Sequence, residues 1–203
     1  VDVTLPRIAA AQYSAPLTES AAGIFGLPPR LPIYLGAADS VLGALGMGVA
    51  KAGDVAYVAG TSTVVLGVAA EIPTDMHHRF LVTPMAYEGS WGIEMDLLAT
   101  GSAIRWLSNL LNFDDEASAL DAAAAAATDE TLLMLPYVSP GEQGALWNPD
   151  LSGVLHGLHI GHTAADLLRS LVIGIVVESQ RCVDVLREFN AVKSQLHVAG
   201  GSS

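Results

Sequence analysis

Two short stretches of this sequence carry residue types that could do chemistry on phosphate. Asp39 is a single carboxylate that follows an apolar run and the small residues 36–38. A second apolar run, Val55–Ala59, ends in a Gly-Thr-Ser turn at residues 60–62. Ligands of open α/β sheets collect beyond the carboxyl ends of strands, and we expect both features at such ends. A lone base beside a turn of phosphate size is what transfer of a phosphoryl group to a hydroxyl requires.

The elements predicted around these residues are short strands and helices. Residues 33–35 are apolar, which predicts a buried strand, and small residues in the helix predicted at 41–49 permit close approach of another backbone. Val55–Ala59 and Thr63–Ala69 are predicted to form a hairpin because the connection between them is short. A long helix is predicted at 162–189, apolar on nearly all sides between 167 and 177 and therefore buried. Further strands are predicted at 80–86, 91–95, 132–135 and 195–198, and further helices at 17–25, 101–111 and 114–127.

The composition excludes two classes of partner. Nine Lys and Arg residues against 21 Asp and Glu residues give a formal net charge of −12, and a surface of that charge repels nucleic acid and anionic lipid. A chain with so few cations must hold phosphate mainly through backbone N–H groups and a metal ion. Residues 170–177 are too short an uncharged stretch to span a bilayer, and the single cysteine, Cys182, suits a reducing cytosol. We therefore expect a soluble, cytoplasmic protein that binds neither nucleic acid nor membranes.

The two ends of the sequence are unusual. Val1 stands where a complete protein has an initiating Met, and Ser203 follows a Gly-Gly pair that is expected to open another element. We therefore expect the chain to be part of a longer protein.

The order of motifs along the whole chain resembles one protein family. G-A-A-D-S-x-L-G-A-L-G-M-G is followed by G-T-S, G-S-A-I-R-W-L, L-P-Y-V-S-P-G-E, a long helix and G-G-S-S. In this order the motifs are similar to the C-terminal half of the FGGY carbohydrate kinases, with a xylulokinase-like pattern.

The resemblance implies an α/β fold, namely a ribonuclease-H-like domain of the actin and hexokinase superfamily with a mixed sheet flanked by helices. Residues 1–32 would then be a connecting segment, and residues 33–203 the C-terminal kinase domain, truncated at both ends relative to the full protein. The implied activity is ATP-dependent phosphorylation of a sugar or polyol hydroxyl, with ATP and Mg²⁺ as cofactors. Because the family's N-terminal domain supplies most sugar-binding residues, the isolated chain is expected to be inactive.

Aligned on these motifs, Asp39 falls on the family's catalytic base, which takes the proton of the attacking sugar hydroxyl. A positioned carboxylate contributes roughly 10²–10⁴-fold to such a transfer. The alternative for Asp39 is a helix N-cap, since aspartate is among the residues most often found there.

The resemblance places the remaining candidates on the nucleotide. Gly60 and Thr61 fall on a phosphate motif, although the same residues also suit a plain hairpin turn. Arg105 falls on the nucleotide pocket, with a surface cation on an amphipathic helix as the competing interpretation. No metal ligand is predicted in this chain. The implied cofactor-binding residues are Gly60, Thr61, Gly101, Arg105, Gly200 and Gly201.

Two departures from the family pattern keep a second function open. Glu142 is followed by Gln143 where the family usually has arginine, and Asp39 is followed by Ser40 where asparagine or glutamine is commoner. The alternative is a non-catalytic nucleotide-binding or oligomerisation module of the same fold. The expected partners are a small sugar or polyol and, as one option, a second copy of the chain in a homodimer.

Overall fold

A five-stranded mixed sheet is the centre of the computed structural model, which describes residues 6–127, 131–141, 144–189, 191–192 and 196–201. In chain order the elements are β1 (Ser14–Pro16), α1 (Glu19–Phe25), β2 (Pro32–Tyr34), α2 (Asp39–Gly46), β3 (Val55–Ala59), β4 (Thr63–Ala69), β5 (Leu81–Pro84), β6 (Trp91–Leu97), α3 (Gly101–Leu110), α4 (Glu116–Ala125), β7 (Leu133–Leu135), β8 (Val154–His156), α5 (Ala164–Glu188) and β9 (Leu196–Ala199). The order across the sheet is β5-β6-β4-β3-β9. All neighbours are antiparallel except β3 and β9, which run parallel. The predicted mixed sheet flanked by helices is confirmed.

Both faces of the sheet carry a helix, because side chains alternate between the faces along each strand. On one side, the α5 face, Val65 of β4 and Met95 of β6 pack in one cluster with Leu186 of α5. On the other side, the α2 face, Leu66 of β4 packs in one cluster with Val41 of α2. Each such buried Val, Leu or Met side chain contributes about 1.5–3 kcal/mol. The two clusters therefore fix α2 and α5 on opposite sides of the same strands.

A third cluster joins helices beyond the sheet. Ala119 and Ala123 of α4 are buried in one cluster with Leu168 of α5, and their small side chains allow the close packing predicted for the alanine run. Gly174 lets α5 approach β7 as closely, because a Cβ there would lie 2.2 Å from the Met134 carbonyl oxygen.

The prediction that the first half of α5 is buried on all sides is wrong for one side. Ile173, Val176 and Val177 are 41%, 60% and 55% exposed, whereas Leu168 and Leu171 are fully buried. The helix therefore covers the other elements with one face only. None of the helices in the described ranges is long and apolar enough to cross a membrane.

The prediction of a buried strand at residues 33–35 is also wrong. All three residues of β2 are exposed, and within the described chain β2 pairs with β1 alone, in a separate two-stranded sheet. An apolar run becomes buried only where a second layer covers it, and no described element covers β2 in this way. The sequence did not predict β1 or β8, since three residues are too few for an alternating pattern to stand out.

Candidate active site

Asp39 is the first residue of α2, and its side chain is exposed. The N-cap is Ala38, which makes no side-chain hydrogen bond, so the alternative that Asp39 is the N-cap is wrong. Asp39 Oδ1 instead accepts a hydrogen bond from the backbone N–H of Ser40 at 2.8 Å. Val41 and Ala44 bury the next turn of α2 against β3 and β4. The carboxylate is therefore held at a helix N-terminus, where the dipole favours negative charge, and remains open to solvent.

The turn at residues 60–62 joins β3 to β4, the strands that α2 covers. Two of its carbonyl groups bond to α3: Gly60 O accepts from Gly101 N–H at 3.1 Å, and Thr61 O accepts from Ser102 N–H at 3.1 Å and Ser102 Oγ at 2.9 Å. Thr61 is exposed, and neither its N–H nor its hydroxyl has a hydrogen-bond partner in the described parts of the chain. The turn thus leaves two donors of Thr61 available to a ligand.

Two buried threonines hold this turn against α3. Thr63 Oγ1 and Thr100 Oγ1 are 2.9 Å apart, and Thr100 Oγ1 also donates to Gly60 O at 3.3 Å. Thr63 is 1% exposed and Thr100 4% exposed, so both hydroxyls rely on partners within the protein. Sequence reasoning missed both residues. The available signal was the Thr-Gly-Ser start of the predicted helix at residue 100, a typical helix N-terminus.

Gly200 and Gly201 follow β9 beside the end of β3. Ala199 pairs with Val58 in the parallel register, and a Cβ on Gly200 would lie 1.8 Å from the Ala59 carbonyl oxygen. Gly200 has a φ of +123°, which favours glycine. A Cβ on Gly201 would meet no atom within 4 Å, so the space beside it is open. The structure therefore brings Gly200 next to Ala59, the residue that precedes the turn, and Gly201 follows it in the chain.

Arg105 is the one candidate whose side chain is engaged elsewhere within the described residues. Its Nε lies 2.5 Å from Glu116 Oε1 of α4, and the Arg105 side chain is 58% exposed. This ion pair is compatible with the interpretation of Arg105 as a surface cation. That Arg105 lines a nucleotide pocket stays a prediction. Glu142 and Gln143, which depart from the family pattern, lie outside the described residues, as do residues 202–203.

Sequence reasoning also missed a pair of carboxylates on β6. The side chains of Ile93 and Met95 lie on the α5 face. Because side chains alternate along a strand, Glu94 and Asp96 lie on the α2 face. Burial, then the nearby charges of Glu94 and Asp39, raise the pKa of Asp96 to about 6. The signal in the sequence was two acids in alternation on an otherwise apolar strand.

A cavity of about 310 Å³ opens beside the segment that leads into α2. It is lined by residues 8–12, 36–38 and 83–91, and its surface is mainly apolar. Neither Asp39 nor residues 60–62 line this cavity. We therefore place the candidate site at the start of α2 and at the turn of residues 60–62, where the Asp39 carboxylate and the free donors of Thr61 lie.

Comparison with known proteins shows similarity to sugar kinases over most of the chain. Xylulose kinase from Klebsiella pneumoniae is 30% identical over 191 residues, which cover 91% of this chain and 38% of that protein. Gluconokinase from Bacillus licheniformis is 27% identical over 171 residues, which cover 76% of this chain and 32% of that protein. The crystal structure of xylulose kinase from Rhodospirillum rubrum matches with a TM-score of 0.82 and 30% identity, over 97% of this chain and 40% of that one. The chain therefore spans two-fifths or less of the length of these relatives.

These matches define the fold as that of a ribonuclease-H-like domain of the actin and hexokinase superfamily, as predicted. The family description "FGGY family of carbohydrate kinases, C-terminal domain" matches residues 55–203. The chain belongs to the FGGY family of carbohydrate kinases.

Proposed function

We propose that the chain is the C-terminal part of a kinase that transfers the γ-phosphoryl group of ATP to a hydroxyl of a sugar or polyol. The observation that carries this proposal is Asp39, an exposed carboxylate at the start of a helix packed on β3 and β4. Those two strands are joined by the turn at residues 60–62. Membership of a family of carbohydrate kinases supports the class of reaction.

In this proposal Asp39 is the general base. As the substrate oxygen attacks the γ-phosphorus, its proton moves to the Asp39 carboxylate. The bond between the γ-phosphorus and the bridging oxygen breaks, and its electron pair leaves with ADP. The exposed position of Asp39 supports this role, because the carboxylate must reach a hydroxyl that enters from solvent.

The turn and the end of β9 would hold the nucleotide. Thr61 offers an N–H and a hydroxyl to phosphate oxygens, while Gly200 and Gly201 put no side chain between the backbone and an adenine base. Gly101 and Arg105 would complete the pocket at the start of α3. The described residues contain no group of three or more His, Cys, Asp or Glu able to hold a metal ion. Mg²⁺ would be held on the phosphates of ATP and would neutralise part of their charge.

The test is Asp39→Asn in the full-length protein that contains this sequence. We expect kcat to fall by about 10²–10⁴-fold while the Kd for ATP stays within about twofold, because the amide cannot accept the proton but leaves the turn intact. A coupled assay of ADP release with D-xylulose, D-gluconate and glycerol measures turnover, and calorimetry measures ATP binding. Asp121→Asn, the same change at an exposed position of α4, is the matched control and should leave both unchanged.

Full turnover in Asp39→Asn would contradict the role of Asp39 as base. ATP binding by the wild-type protein without turnover of any of the three substrates would favour the non-catalytic module instead. The isolated 203-residue chain is the blank, since it spans two-fifths or less of the relatives and is proposed to lack much of the sugar site.

A further inference from the structure

Asp96 lies on the same face of the sheet as α2. The β6 register pairs Asp96 with Val64 of β4, one residue before the Leu97–Thr63 pair at the end of the strand. Val64 packs against the cluster that contains Val41 of α2. Asp96 therefore lies on the face of the sheet that α2 covers, close to the strand end next to the turn at residues 60–62.

The Asp96 carboxylate has unusual surroundings. Within the described ranges, its buried Oδ1 has no hydrogen-bond partner, and Asp96 forms no ion pair. The charged groups whose fields act on it are Glu94 from its own strand and Asp39 from α2. Neither neighbouring strand places a charge opposite Asp96. On β4 its partner is the uncharged Val64, and the pairing of β5 with β6 ends at Glu94. A partly buried carboxyl group near two other acids destabilises the fold, because no group among the described residues compensates its charge.

Such an arrangement is typical of functional sites, where perturbed acids collect at a cost in stability. We propose that Asp96 is a positioning residue for Asp39. The negative charge of Asp96 favours transfer of the substrate proton to the Asp39 carboxylate. This inference rests on the proposed kinase function and adds a second carboxylate to it.

The charge acts on a defined proton. When the substrate oxygen bonds to the γ-phosphorus, its O–H bond breaks and the proton moves to Asp39, while the bridging P–O bond breaks and ADP leaves with the electron pair. Proton transfer neutralises Asp39 and so relieves its repulsion with Asp96. Because the repulsion is present before the transfer and absent after it, the ionised Asp96 lowers the barrier. Below about pH 6 Asp96 is protonated, and the effect is lost.

The first experiment measures the interaction itself, without turnover. Carboxyl ¹³C NMR follows the titration of Asp96 in the wild-type protein and in Asp39→Asn. We expect the midpoint of Asp96, near pH 6 in the wild type, to fall in Asp39→Asn, because the variant removes one of the charges that hold the proton on Asp96. An unchanged midpoint would overturn the inference.

The second experiment measures the pH profile of phosphorylation in the full-length protein. Wild-type kcat should rise through about pH 6 as Asp96 ionises, and this step should be missing in Asp96→Asn. At pH 8 we expect kcat to fall by about fivefold to tenfold in Asp96→Asn, with the KM values for sugar and ATP within about twofold. Asp96→Glu keeps the charge and should retain the step near pH 6.

Each outcome separates the inference from a structural role and from failure of the proposed function. A purely structural Asp96 predicts that Asp96→Asn changes thermal stability but leaves the pH profile intact, and that result would overturn the inference. An Asp96→Asn enzyme with wild-type kcat would also overturn it, while the function of Asp39 would stand. A wild-type protein without sugar kinase activity would overturn the proposed function and, with it, this inference, whatever the NMR titration shows.

Discussion

At the scale of single residues, Gly200 is a position where the backbone leaves no room for a side chain. A Cβ there would lie 1.8 Å from the Ala59 carbonyl oxygen, and the φ of Gly200 is +123°. Gly200→Ala must therefore displace the end of β9 from β3. We expect the free energy of unfolding to fall by about 2 kcal/mol or more and ATP binding to weaken. Thermal unfolding and calorimetric titration with ATP measure the two effects.

Gly201→Ala is the matched control for this change. A Cβ on Gly201 would meet no atom within 4 Å, so its free energy of unfolding should stay within about 0.5 kcal/mol of the wild-type value. If Gly200→Ala were as stable as Gly201→Ala, the inference that Gly200 lies too close to β3 for a side chain would be wrong.

The sequence predicts some candidate residues and misses others for a physical reason. Thr61 follows a predictable strand, Asp39 stands at the start of a predictable helix, and both belong to short local motifs, so they can be singled out without the fold. Thr100 and Asp96 instead interact with residues distant in the chain: Thr100 forms a hydrogen bond with Thr63, and the charge of Asp39 helps to raise the pKa of Asp96. Such pairs depend on strand register and on which face a helix covers, and neither is encoded locally.

At the scale of elements, the turn at residues 60–62 and α3 form one unit, and Thr100 holds them together. Its hydroxyl lies 2.9 Å from Thr63 Oγ1 and donates to Gly60 O, at a site where both threonines are buried. Thr100→Val keeps the shape but leaves the Thr63 hydroxyl without this partner. We expect the free energy of unfolding to fall by about 1–3 kcal/mol, measured by urea unfolding.

Thr100→Ser is the control, because it keeps the hydroxyl and removes one methyl group. It should lose clearly less stability than Thr100→Val. Equal losses in the two variants would mean that the methyl group, not the hydrogen bonds to the turn, is what Thr100 contributes.

The elements that the sequence predicts well are those whose apolar pattern repeats over several residues. The β3–β4 hairpin and α3 fall where residues 55–69 and 101–111 predict them. The predicted burial of β2 and of every side of α5 is wrong for a different reason. An apolar pattern shows which residues can be buried but not whether a neighbouring element covers them. Pairing of β1 with β2 depends on that same missing information.

At the scale of the whole molecule, a network of charges ties the segment between β4 and β5 to the end of α5. Arg79 pairs with Asp75 at 2.9 Å and with Glu188 at 2.6 Å, and its guanidinium lies over the ring of Phe189. The Asp75 side chain is only 5% exposed. Hydrogen bonds from the Arg79 side chain hold the pKa of Asp75 well below its usual range, although burial opposes the shift.

This network predicts an acid-dependent loss of stability. Because the pKa of Asp75 is lower in the folded than in the unfolded chain, its stabilisation is fully present above about pH 4 and is lost as the pH falls further towards the folded pKa. Asp75→Asn should therefore lower the free energy of unfolding at pH 7 by about 1 kcal/mol, a value that allows for solvent screening at Arg79. The difference from the wild type should shrink below pH 3, and urea unfolding between pH 2.5 and pH 8 measures it.

Asp184→Asn is the control. It removes an ion pair to Arg187 whose two side chains are 56% and 55% exposed, so it should change stability little at any pH. A pH-independent difference between Asp75→Asn and the wild type would show that Asp75 contributes through packing rather than through its charge.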